Sequence, residues 1–79
     1  MNGWKNKETW WVVMALQGAE GEGLYRSAVD FMKRYKGRTP YRDFVRYYSL
    51  ENEKTLDGVK FSDSRLSYRQ LNEAMYDFE

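Results

Sequence analysis

The side chains that most often carry out chemistry are missing from this 79-residue chain, which contains no histidine and no cysteine. Without imidazole the commonest general base and metal ligand is gone, and without a thiol so is the commonest activated nucleophile. Carboxylates remain. Three pairs stand close enough in sequence to be weighed as acid/base or cation-binding sets: Glu20 with Glu22, Glu51 with Glu53, and Asp57 with Asp63. Each pair lies in a polar, glycine-containing or irregular stretch, where a carboxylate is ordinarily solvated and nothing signals the burial that perturbs a pKa. The run Gly18-Ala19-Glu20-Gly21-Glu22-Gly23 is rich in glycine, but it lacks the spacing and the trailing Lys-Ser/Thr of a phosphate-cradling loop. Its two glutamates would also repel phosphate, so a flexible turn between helices is expected there. The chain is therefore expected to have no catalytic residue, no metal site and no cofactor.

Binding is the chemistry left to it. From Arg34 to Tyr48 the sequence RYKGRTPYRDFVRYY interleaves five bases with four tyrosines and one phenylalanine. Cationic side chains neutralise phosphates and aromatic faces accept stacked bases, while Arg and Tyr are also enriched at protein-binding hot spots. The candidate binding residues are Arg34, Lys36, Arg38, Tyr41, Arg42, Arg46 and Tyr47. A plainer alternative stays open, in which Tyr35, Tyr41, Phe44 and Tyr48 are core and the bases form its solvated face. Trp10 and Trp11 raise the same question, because adjacent residues on a helix cannot share a face. At most one of the two points into the centre of the core.

The elements that position these residues are read from apolar spacing and from caps. Thr9 to Leu16, TWWVVMAL, is an apolar run whose period does not separate helix from strand. Its flanks favour a helix from about Lys7 to Gln17, capped by Asn6 and closed by Gly18, Gly21 and Gly23, although consecutive Trp and Val also suit a strand. Leu24, Ala28, Phe31, Met32 and Tyr35 then mark one helical face, with Gly37 as the C-terminal glycine. Thr39-Pro40 restarts the chain as N-cap and first helical residue of a third helix, with face Tyr41, Phe44, Val45 and Tyr48 and an end near Leu50. Residues 51–66 lack a helical period and form a long loop, with a tight turn at Asp57-Gly58 and at most a short extended segment at 59–61. Ser67 and Gln70 open the last helix as a capping-box pair, and Leu71, Ala74, Met75 and Phe78 form its apolar face. The expected fold is all-α: a compact bundle of about four short helices in a single domain, residues 1–79.

Composition bounds the rest. Aromatic residues make up 18% of the chain, enough buriable surface to argue against disorder despite a charged fraction of 32%. The net charge of +1 conceals a division. Residues 21–48 carry seven bases (Arg26, Lys33, Arg34, Lys36, Arg38, Arg42, Arg46) against three acids (Glu22, Asp30, Asp43), whereas residues 49–79 carry seven acids and four bases. Such a chain has either two surfaces of opposite sign or an internal pairing between its segments. No stretch of about 18 apolar residues offers a membrane span, and the start lacks the order of a secretory signal, so a cytoplasmic protein is expected. A homodimer is a second way to cover the surplus of aromatic surface.

The ordered set Asn6-Lys7-Glu8-Thr9-Trp10, Glu22-Gly23-Leu24-Tyr25, Tyr41-Arg42-Asp43-Phe44-Val45 and Asp57-Gly58-Val59-Lys60-Phe61-Ser62-Asp63 resembles a family of small uncharacterised proteins of bacteriophages, other mobile elements and some bacteria. The chain departs from that pattern in its looser Gly-Glu-Gly connection and in extra bases, Arg65 and Arg69, assigned to the final helix. The resemblance implies a context and no activity. In that context a small protein without catalytic residues is expected to bind and modulate a host protein, such as a defence complex of the CRISPR type. The alternative is a nucleic-acid-binding or regulatory protein using the helix-turn-helix region 34–48.

Overall fold

A computed structural model of the chain describes residues 3–78. It is an all-α bundle of four short helices: α1 (Lys7–Met14), α2 (Glu22–Arg34), α3 (Pro40–Tyr47) and α4 (Tyr68–Tyr76). Its radius of gyration is 11.3 Å, close to the roughly 12 Å of a folded chain of this length, so the described residues pack as one unit. The expected domain of 1–79 also takes in Met1, Asn2 and Glu79, which lie outside the described residues.

The flanks decide the first apolar run. The side chain of Asn6 accepts from the backbone N–H of Thr9 at 2.9 Å, satisfying one of the orphan donors of the first turn, and the run is helical. Beyond Met14 the helix widens into a π-type turn over Ala15–Ala19 and breaks at Gly18, whose φ of +99° is open to glycine at little steric cost. The six-residue connection expected at Gly18–Gly23 shrinks to Glu20 and Gly21, because Glu22 and Gly23 already belong to α2. Val12, Val13, Ala15 and Leu16 are buried, while Trp10 and Trp11 are both half-buried. Neither indole reaches the centre, and Trp11 lies under the ammonium of Lys7 at 5.5 Å.

Helix α2 ends one residue before Tyr35, which turns extended. Gly37 is not a left-handed cap. The Tyr35 phenol lies against it, so a β-carbon there would displace the ring. Thr39 precedes α3 with Pro40 at its first position, as expected, yet the Thr39 side chain makes no cap bond to the helix. The free N–H of Tyr41 instead finds Asn72 of α4, donating to Oδ1 at 3.0 Å, so a neighbouring helix satisfies what a local cap would have. Helix α3 stops at Tyr47 rather than near Leu50.

The long loop 51–66 is a structural member in its own right. A single antiparallel bridge pairs Lys54 with Lys60 around the turn at Asp57-Gly58, and this is the whole of the short extended segment. Thr55, Val59, Phe61 and Leu66 are buried and close one side of the core. Ser67 caps α4 by accepting from the N–H of Gln70 at 3.2 Å. The reciprocal half of the capping box is absent: the Ser67 N–H donates to Thr9 Oγ1 at 3.0 Å. Leu71 and Met75 complete the core, with Ala74 and Phe78 partly buried against it. Arg65 does not lie on this helix but just before it. Its guanidinium spans Asp63 (Nη2 to Oδ2, 2.7 Å) and the buried Glu8 (Nη1 to Oε2, 3.1 Å), joining the loop to α1.

Candidate interaction surface

Four of the seven candidate residues divide between two clefts, Arg42 and Arg46 in one and Arg34 and Tyr47 in the other. In α3, Arg42 and Arg46 are one turn apart and exposed, and they line a shallow cleft of about 190 Å³ together with Val45, Glu51, Ser62 and Tyr68. The Arg42 guanidinium lies 5.6 Å from the centre of the Tyr68 ring, within cation–π range. Tyr47 is five residues beyond Arg42, about 140° around the helix, and 66% exposed. It belongs to a second cleft of about 200 Å³ with Phe31, Arg34 and Tyr35. Lys36 and Arg38 are exposed on the connection between α2 and α3.

Tyr41 must be withdrawn from the set. It is fully buried, its ring meets that of Tyr68 edge-on at 5.4 Å, and its hydroxyl donates to the Phe61 carbonyl at 2.5 Å. Burial pushes that phenol far above the ordinary tyrosine range, so it stays neutral. Within the Arg34–Tyr48 segment Tyr41 and Phe44 are core and Tyr35 is half-buried, whereas Tyr48, expected in the core on the plainer reading, is exposed together with Tyr47 and the bases.

The electrostatics of the segment turn on its one acid. Asp43 accepts from the Tyr35 hydroxyl at 2.6 Å and from Thr39 Oγ1 at 3.1 Å, while the same Tyr35 hydroxyl accepts from the Thr39 N–H at 2.9 Å. The Tyr35 bond, then that from Thr39 and the charges of Arg46 and Arg42, hold the Asp43 carboxyl below its usual range. Asp43 is thus occupied in fixing the α2–α3 connection. Among the described residues no ion pair involves Lys33, Arg34, Lys36, Arg38, Arg42 or Arg46. The pairs present are Arg26–Glu22, Arg65–Glu8, Arg65–Asp63 and Arg69–Glu73.

Three of the carboxylates weighed from sequence are engaged with other partners. Glu20 accepts from the N–H of Leu56 at 2.7 Å, Glu22 pairs with Arg26, and Asp63 grips Arg65. Glu51 lines the Arg42–Arg46 cleft, while the Glu53 carbonyl accepts from the N–H of Phe61 at 3.0 Å. Among the described residues no cluster of three acidic side chains is arranged to hold a metal ion. Sequence reasoning set Tyr35 among the bases but passed over Phe31, Glu51, Ser62 and Tyr68 as their neighbours. For Tyr35 a signal existed, since its spacing to Asp43 bridges a five-residue turn, but Ser62 and Tyr68 reach α3 only through tertiary folding.

No family model, curated protein or solved structure matches the chain. Among the described residues no helix is long and apolar enough to cross a membrane.

Proposed function

We propose that this protein is a non-enzymatic interaction module that binds and modulates a host protein in the host cytosol, using the bases that flank α3. One observation supports this reading above the others. The cations from Lys33 to Arg46 have no ionic partner among the described residues, whereas Arg26, Arg65 and Arg69 pair with Glu22, Glu8, Asp63 and Glu73. Such an arrangement favours a partner with an acidic surface, drawn in by long-range attraction and seated beside the Tyr47 ring. The phage or mobile-element setting follows from the sequence resemblance.

The second reading, binding of nucleic acid, draws on the exposure of Tyr47 next to Arg34, a ring and a cation suited to a stacked base and its phosphate. The low net charge weighs against it. A bacterial lysate passed over the wild-type protein and over the R38E/R42E/R46E variant tests the leading reading. A partner retained by the first and lost by the second is expected. Retention of the same partners by both would remove the proposed surface. In parallel, affinity for a DNA or RNA fragment that falls steeply with salt would favour the second reading.

A further inference from the structure

We infer that the cleft between Trp4, the π turn, the N-terminal half of α2 and the end of α4 is a binding site for a quaternary ammonium group. The cleft has a volume of about 450 Å³, more than twice that of either cleft beside α3, and is lined by Trp4, Gln17, Tyr25, Ala74, Asp77 and Phe78. Helix α3 contributes nothing to it, so the inference is independent of the proposed function. The volume falls within the roughly 300–1,000 Å³ usual for small-ligand pockets.

The lining selects for charge. Three aromatic side chains from distant parts of the chain line the cleft, and the rings of Tyr25 and Phe78 stand 5.7 Å apart at 64°, forming a corner rather than a flat stack. Trp4, Tyr25 and Phe78 are each half-buried, which leaves part of each side chain uncovered. Aromatic faces are electronegative and attract cations. Among the described residues the lining holds one carboxylate, that of Asp77, and no base. An anion is therefore repelled.

The type of cation follows from the donors and acceptors. A hard metal ion needs several oxygen ligands, and one carboxylate does not supply them. A primary ammonium carries three N–H donors that each need an acceptor once water is displaced. A quaternary ammonium has none to satisfy, and it spreads its charge over methyl groups that rest on ring faces.

The site is also held in shape before any ligand arrives. The Gln70 side-chain amide donates to the Gly3 carbonyl at 2.7 Å and accepts from the Lys5 N–H at 2.8 Å, gripping the backbone on both sides of Trp4. This is the employment that takes Gln70 away from the capping box. Gln70 is a positioning residue for the Trp4 wall.

Titration with choline, followed by calorimetry and by the NMR resonance of the Trp4 indole N–H, tests the inference. Choline is expected to shift that resonance saturably, and D77N to weaken binding roughly threefold to thirtyfold while leaving the far-UV spectrum unchanged. Q70A is expected to weaken it as well, without touching the ligand. The uncharged carbon isostere 3,3-dimethylbutanol is expected to bind at least several-fold more weakly than choline. Phosphatidylcholine vesicles separate the two sources of the group: sedimentation with vesicles that depends on Trp4 assigns a lipid headgroup, and its absence assigns a free cation. A Trp4 resonance unmoved by choline overturns the site, and equal binding of the isostere overturns its selectivity for charge.

Discussion

Replacing Thr9 by valine should cost this small protein a large part of its stability, although the two side chains have nearly the same shape. Thr9 is fully buried, and its hydroxyl donates to Asn6 Oδ1 at 2.6 Å and accepts from the Ser67 N–H at 3.0 Å. Asn6 in turn donates through Nδ2 to the Arg65 carbonyl at 2.8 Å, so one threonine ties the start of α1 to the start of α4. Valine deletes both hydroxyl bonds and leaves the Ser67 N–H without its partner. Two lost bonds at about 1 kcal/mol each, with a further share for the stranded donor, give about 2–3 kcal/mol. For a domain of this size that is a fall of roughly 10–20 °C in Tm. Thermal melts followed at 222 nm, with urea unfolding as a check on the slope, measure it. T9S keeps the hydroxyl and should lose much less. The T9V/N6A double variant should fall short of the sum of the single effects, because both changes break the same Thr9–Asn6 bond. A T9V protein within about 0.5 kcal/mol of wild type, the range of an ordinary surface substitution, would refute the reasoning.

Acid should act largely through Asp63, whose carboxyl the Arg65 hydrogen bonds hold at about 2 against an ordinary value of 3.8. Its folded-state pKa is depressed, so its contribution is present above about pH 3.8 and is lost as pH falls toward about 2. D63N should therefore show a flatter fall of Tm across that window than wild type, and parallel curves would count against the assignment. In Y35F, Asp43 loses its strongest hydrogen bond, and its carboxyl pKa should rise toward the usual range in a ¹³C NMR titration. F61A should cost about 3–5 kcal/mol in urea unfolding, because Phe61, although in the long loop, is only 4% exposed. That is a large share of the roughly 4–12 kcal/mol expected of a 79-residue domain.

Much of the fold was legible because it is set by neighbours in sequence. Asn6 caps α1, Pro40 opens α3, Ser67 caps α4, and the apolar spacings of α2, α3 and α4 place Ala28, Phe44, Val45, Leu71 and Met75 inside. Those choices depend on contacts within three or four residues, which a linear reading samples directly. Tertiary structure decided the rest. It turned the loop at 51–66 into core through Thr55, Val59, Phe61 and Leu66, gave the capping of α3 to Asn72, and lent Gln70 to the chain around Trp4. It also divided the Arg34–Tyr48 segment, sending Tyr41 inward and Arg42, Arg46 and Tyr47 outward to opposite flanks of α3. A spacing pattern states which residues share a face but not what lies opposite that face. Buried polar groups must find partners wherever the fold brings them, and for the Thr9 hydroxyl that partner, the Ser67 N–H, lies 58 residues away along the chain.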